Sequence, residues 1–239
     1  MIMANFPFQR LQSDLASLIA RTAAGERLLS EPELAKKMGV SRATLREAMR
    51  TFETQGLIRR RQGSGTFVVG QVPVMEAGLE VLESLETMAE RLNLEISVNN
   101  LQLETLPADY DNSQVLEVPV GTPLLRIQRV MREENRPVAY LLDTLPEDVL
   151  KPDQLPPNFD GSVLDFLLKR GDSLTVSKAA ISAIGAPADV AKALQIQRGD
   201  VLLEFVSKLY NSNGKVLDYS ASYFIPGYFH FHVVRRVGR

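Results

Sequence analysis

The sequence has no cysteine and no tryptophan, and its only histidines are His230 and His232. Without cysteine there is no disulfide frame, no thiolate zinc site and no cysteine nucleophile. The two histidines alternate with Phe229 and Phe231, which puts both imidazoles on one strand face. That is short of the three or four donors a tight zinc site requires, so neither a metal nor a cofactor is expected. No apolar run approaches the ~18 residues of a membrane span. The start, Met1-Ile2-Met3-Ala4-Asn5-Phe6, lacks the basic-then-apolar pattern of a signal peptide, so a cytoplasmic chain with no membrane partner is expected. What remains is ordinary globular material: 239 residues, 45% hydrophobic and 23% charged, enough for one large domain or two small ones.

The net charge of −2 conceals a division. Residues 1–70 hold 11 Lys+Arg against 6 Asp+Glu, a net +5, and residues 71–239 hold 16 against 23, a net −7. A basic head calls for a polyanion.

Within the head, Leu11, Leu15, Leu18 and Ile19 recur at three- and four-residue steps and predict a helix ending near Gly25. Ser30-Glu31-Pro32-Glu33 has the form of a capping box with proline in the first turn, so a short helix starts there and stops at Gly39. Ser41 then caps a third helix. On it Leu45, Ala48, Met49 and Phe52 share one face, while Arg42, Arg46 and Arg50 line another. Arginines near the N-terminus of such a helix suit base edges in a major groove, with small Ala43 and Thr44 permitting close approach. An amphipathic surface helix with Glu47 and Glu53 as partners for its arginines fits the same spacing. Next, Leu57–Gln62 and Thr66–Val69 predict two strands around Gly63-Ser64-Gly65, a basic hairpin with a small tip. Three helices and a hairpin form a winged helix-turn-helix.

These residues also resemble a family. The runs Leu29-Ser30-Glu31-Pro32-Glu33-Leu34-Ala35, Gly39-Val40-Ser41-Arg42-Ala43-Thr44-Leu45-Arg46-Glu47-Ala48 and Gln62-Gly63-Ser64-Gly65-Thr66-Phe67-Val68 are similar to the N-terminal domain of GntR-type transcriptional regulators. The resemblance implies that Arg42 and Arg46 read or clamp a double-stranded operator, that Ser41 and Thr44 touch it, and that Gly65 enters the minor groove. Pro32 stands where the family commonly has a DNA-contacting arginine, so that contact is lost or passes to Arg27 or Lys36.

After a linker placed at 71–76, Gly78–Leu92 has helical spacing. The body then repeats itself: Pro107-Ala108-Asp109, Val115-Leu116-Glu117 and Gly121-Thr122-Pro123-Leu124-Leu125 resemble Pro187-Ala188-Asp189, Ala193-Leu194-Gln195 and Gly199-Asp200-Val201-Leu202-Leu203. Each copy reads as a helix, a strand, a turn and a return strand ending at Leu145-Pro146 or Ile225-Pro226. Two copies predict paired hairpins in one antiparallel sheet with helices against it, and a pocket between the copies. In a strand, Arg129 shares a face with apolar Leu125, Ile127 and Met131. A guanidinium there wants an anion, either from a ligand or from an internal carboxylate such as Asp143 or Asp218.

The order of Gly121-Thr122-Pro123, Arg129, Arg136-Pro137-Val138-Ala139, Leu145-Pro146 and Asp218-Tyr219-Ser220-Ala221-Ser222-Tyr223-Phe224 resembles the ligand-sensing UTRA domain of the HutC subfamily. The resemblance implies a chorismate-lyase-like fold, with Ser84, Arg129, Ser177, Asp218 and Phe224 lining an effector pocket. Met131 and Ile225 stand where the family often has further arginines, which implies an effector with one anionic group, less charged than a sugar phosphate. The chain is thus expected to be α+β, with a winged helix-turn-helix at 5–70 and a UTRA-like effector-binding and dimerisation domain at 77–237. It is expected to act as a homodimeric regulator, not an enzyme, binding half-sites about one helical turn, ~34 Å, apart.

Overall fold

A computed structural model of the chain describes residues 7–54, 56–61, 64–69, 75–133, 136–157, 159 and 161–235. The chain divides into two compact units, residues 1–74 and 75–239. The division falls inside the linker placed at 71–76. Residues 71–74 lie outside the described residues, but Met75 opens a strand.

In the first unit, helices α1 (Pro7–Arg21), α2 (Glu31–Met38) and α3 (Arg42–Thr54) precede a hairpin of β1 (Ile58–Arg61) and β2 (Gly65–Val68). The apolar positions picked out by period converge: Leu11, Leu15 and Ile19 of α1 meet Leu34 of α2 and Leu45 and Met49 of α3. Both the backbone N–H and the hydroxyl of Ser30 donate to the Glu33 carboxylate, at 3.0 and 2.6 Å, which fixes the first turn of α2. Those two bonds hold the Glu33 carboxyl below its ordinary pKa, the hydroxyl contributing more than the amide. Gly39 ends the helix in the left-handed conformation, at φ +67°.

The second unit begins with β3 (Met75–Gly78) and α4 (Leu85–Arg91), followed by β4 (Ile96–Pro107), α5 (Tyr110–Leu116), β5 (Pro123–Glu133) and β6 (Arg136–Pro146). After α6 (Val163–Arg170) come β7 (Leu174–Gly185), α7 (Ala188–Leu194), β8 (Val201–Asn211), β9 (Val216–Phe224) and β10 (Phe229–His232). Strands β4 to β9 form one antiparallel sheet in the order β4-β5-β6-β9-β8-β7. The internal repeat explains that order. Each copy is a long strand, a helix and a hairpin, and the return strands β6 and β9 pair at the centre. The helices exchange copies on one face, where α5 packs on β9 and α7 on β6.

The helix expected over Gly78–Leu92 is shorter than its spacing implied. Residues Met75–Gly78 pair in parallel with Phe229–His232, a long-range partner that local periodicity cannot reveal. The helix starts only where the Ser84 hydroxyl accepts from the Thr87 amide at 2.9 Å. The exposed imidazoles of His230 and His232 lie along that pairing, and Phe229 and Phe231 turn inward to pack with Met75, Met88 and Ala89. The tip of the β5–β6 turn, residues 134 and 135, lies outside the described residues.

Leu45 is fully buried at the meeting of α1, α2 and α3. Leu45→Ala is expected to lower the stability of the first unit by about 2–5 kcal/mol, measured by thermal denaturation of the full chain.

Candidate functional site

On α3, Leu45, Ala48, Met49 and Phe52 are buried and Arg42 and Arg46 are exposed. The N-terminus is built by Ser41, whose hydroxyl accepts from the Thr44 amide at 3.1 Å and lies 2.8 Å from the Thr44 hydroxyl. Both hydroxyls therefore stand at the exposed end of the helix beside Arg42. The Arg46 side chain is 58% exposed, and its Nε donates to Glu31 of α2 at 2.7 Å. Arg50 lies 3.5 Å from Glu47. Glu53 turns instead to the hairpin, accepting from the Arg60 backbone N–H at 3.2 Å and lying 3.5 Å from its Nε. The second oxygen of Glu31 lies 3.7 Å from Arg60 Nη1. One carboxylate thus ties α3 to the hairpin.

In the wing, Arg61 faces Gly65 across the hairpin. Gly63 of the expected tip lies outside the described residues. Gly65 has φ +114°, and the Arg27 side chain lies where a Cβ would project, so only glycine keeps both the conformation and the approach. Arg61 sits over the Phe67 ring at 5.2 Å. Arg27 and Lys36, the alternatives for the contact missing at Pro32, are both exposed, and Arg27 is the one beside the wing.

In the second unit, register places Arg129, Asp143, Asp218, Phe224 and Ser177 on the sheet face opposite α5 and α7. One end of this face is covered by α6, with Leu167 against Leu125, Ile127, Leu145 and Leu209. The other end carries Phe224 packed with Phe205, Phe229 and Phe231 at centroid distances of 5.2, 4.8 and 5.0 Å. Between these apolar ends lies a polar band. Asp143, Ser220 and Ser207 stand side by side across β6, β9 and β8, which is the junction between the two copies.

Arg129 is 6% exposed. Its Nη1 donates to Asp143, and its Nε lies 3.6 Å from Glu86 of α4. Of the two partners left open for this guanidinium, the structure supplies the internal carboxylate. Burial works against the charge on Arg129, but Asp143 and Glu86 outweigh it and raise its pKa. A Cβ at Gly161, where φ is +95°, would come within 2.5 Å of Arg129 Cδ, so the chain entering α6 presses directly on the guanidinium stem. Asp218 accepts from the Thr144 amide at 3.2 Å. Burial first, then the charge of Asp143, push its pKa well up.

The residues expected at the pocket separate into groups. Arg129 and Asp218 converge on Asp143. Ser84 caps α4 and donates to Asp165 of α6 at 2.6 Å, so it fastens two covering helices two residues from Glu86. Phe224 belongs to the aromatic end. Ser177 shares the face, but β8 lies between it and Asp218, about 10 Å across the sheet. Sequence reasoning missed Glu86, Ser207, Ser220 and Ser222. The three serines alternate in phase with Asp143, a signal legible only once the register is known.

Because the fold raises the Asp218 pKa, the protonated form is favoured in the folded state. The stability from this group is complete below the ordinary value of 3.8 and is lost as pH rises through the raised folded value. Asp218→Asn keeps an acceptor for Thr144 and removes the titration. Wild type is expected to lose stability relative to this variant as pH rises from about 4 towards neutrality, read by chemical denaturation across that range.

Residues 8–68 match the family of bacterial regulatory proteins described as the gntR family, and residues 91–230 match the UTRA domain family. Over 221 residues the chain is 31% identical to the HTH-type transcriptional regulator Rv0792c of Mycobacterium tuberculosis, covering 89% of this chain and 79% of the relative. It is 29% identical to the histidine utilization repressor of Klebsiella aerogenes, covering 74% of this chain and 73% of the relative. The fold is similar to the crystal structure of PhnF from Mycobacterium smegmatis, with a TM-score of 0.65, 21% identity and coverage of 95% of this chain and 100% of that one. With a wing and reading helix ahead of a UTRA sheet, the chain belongs to the GntR family and is a DNA-binding transcriptional regulator, not an enzyme.

Proposed function

We propose that the chain is a homodimeric cytoplasmic repressor that holds an approximately palindromic operator through two copies of α3 and the wing, and is released by a small molecule bound in the second unit. The observation that carries the reading is the outward placement of Arg42 and Arg46 on a helix whose opposite face is packed rigidly into the core. Ser41 and Thr44 approach the same backbone, Gly65 enters the minor groove, and the exposed Arg27 takes the position left by Pro32. The domains are assigned as 5–70 for DNA and 77–237 for effector and dimer. To empty the operator, the effector must favour the non-binding arrangement by several kcal/mol.

The dimer reading is supported by β7. This outer strand is hydrogen-bonded to β8 on one side among the described residues. It carries Val176 and Ile181 at 57% and 46% exposure, with one charged residue, Lys178, along its length. Long apolar edges are normally paired or blocked, and a second copy across a two-fold axis supplies an antiparallel partner. The effector pocket is assigned to Ser84, Arg129, Ser177, Asp218 and Phe224, together with Asp143. The anionic group expected of the effector loses its support here, because Asp143 already engages Arg129.

Arg46→Ala is expected to weaken operator binding by about 1–3 kcal/mol with unchanged folding, and the wild-type affinity should fall with salt at a log-log slope of about −0.9 per phosphate neutralised. A salt-independent affinity in electrophoretic shift assays defeats the DNA role. Ile181→Lys is expected to shift the chain from dimer to monomer in light-scattering chromatography.

A further inference from the structure

We infer that the effector presents an uncharged aromatic ring, which fills the cavity between the start of β8 and the turn joining β9 to β10, and that its binding is transmitted to β3 through β10. The inference rests on the effector reading above and names the chemistry of that site.

Size and lining carry the chemistry. The cavity measures about 170 Å³, and its walls include Ala183, Val201, Leu203, Phe224, Ile225 and Phe229. An apolar cavity of about 150 Å³ stays dry and holds benzene, so this one has room for a single six-membered ring. Among the described residues, none that lines it carries a charge, and a charged group entering would give up its hydration without gaining a partner. The guanidinium on the same sheet face supplies no partner either, because Arg129 is engaged by Asp143. Phe224 and Phe229 meet at 4.8 Å and 64°, so a third ring beside them can adopt the offset or edge-on geometry that aromatic pairs prefer. Ala183 and Val201 are exposed, so the cavity opens to solvent on their side and the rest of the molecule can lie outside it.

Position carries the regulation. The wall formed by Ile225 is fixed to the sheet, its backbone N–H donating to the Val138 carbonyl at 3.0 Å. Gly227, at φ +100°, then turns the chain, and Phe229 opens β10. Phe229 pairs with Met75, the first residue of the second unit. Its ring also stacks on Phe231 at 5.8 Å and packs in the cluster of Met75, Met88 and Ala89. One residue is therefore both a wall of the cavity and the anchor of the segment by which the chain enters the unit. A ring seated against Phe229 acts on the β3–β10 pair without an intermediary.

The test uses the full chain and ring probes matched in size. Toluene and benzyl alcohol are uncharged, benzoate and benzylamine are charged at neutral pH, and each is added at about 2 mM in thermal-shift assays. The uncharged rings should raise the melting temperature and weaken operator binding at least about threefold, while the charged ones leave both unchanged. Val201→Phe places a ring at the mouth of the cavity and Val201→Asp a carboxylate. In calorimetry each should lower the affinity for benzyl alcohol at least about tenfold. Val201 is exposed, so neither substitution disturbs the core. No response to either uncharged ring, equal binding of benzoate or benzylamine, unchanged affinity in either variant, or stabilisation without an effect on operator binding overturns the inference. Operator binding without probes is a separate measurement: its loss defeats the regulator reading and leaves the probe comparison standing.

Discussion

A guanidinium that is almost entirely withdrawn from water has to be neutralised where it lies, and the second unit is organised around that requirement. Arg129 points from β5 onto a sheet face whose neighbours in strand phase are apolar. Desolvating such a charge is costly unless hydrogen-bonded partners surround it. Asp143, one strand over and two residues out of register, is the nearest acceptor the sheet offers, and Glu86 reaches down from α4. Gly161 lets the chain before α6 close against the stem. The pair therefore decides where two covering helices can sit, and the Ser84–Asp165 bond locks them to each other above it.

The polar band is a consequence of duplication. Pairing β6 with β9 brings the last strands of both copies to the centre of the sheet, the position with the most neighbours and the least access to solvent. On the face covered by α5 and α7 this centre is occupied by exchanged helices. On the opposite face the covers come from outside the repeat, with α6 at one end and the β3–α4–β10 cluster at the other. Among the described residues nothing in the repeat itself covers the middle, and serines occupy it. An interior left polar and half-open by the fold's own symmetry is where a soluble ligand can exchange its hydration for fixed partners without dismantling the core.

Legibility in the sequence followed the range of the interactions. The buried face of α3, the turn at Gly39 and the wing depend on contacts within a few residues, and Leu45, Ala48, Met49 and Phe52 were readable from period alone. The repeat announced both central hairpins because its turns and prolines recur. The parallel pairing of Met75–Gly78 with Phe229–His232 joins segments about 150 residues apart, and no local pattern marks it, so Gly78–Leu92 read as one helix. Arg129 was found by parity, but the choice between ligand and carboxylate depends on which strand lies next to β5. The serines of the band were invisible for the same reason: alternation on one strand means little until register aligns it with another.

The head is governed by a milder version of the same electrostatics. Glu31 sits between Arg46 and Arg60, holding a residue of α3 and a residue of the hairpin in one arrangement. Being partly exposed, these ion pairs add little to stability. Their consequence is geometric: two long side chains that would otherwise sample many rotamers are gathered near one point. A phosphate brought near Arg46 would compete with Glu31 for the same guanidinium. In the second unit the corresponding carboxylate is buried, and Arg129 is paired with it inside the fold. The contrast between Arg46 and Arg129 comes down to solvent: the same ion pair is a reversible clasp at the surface and a fixed part of the interior once water is excluded.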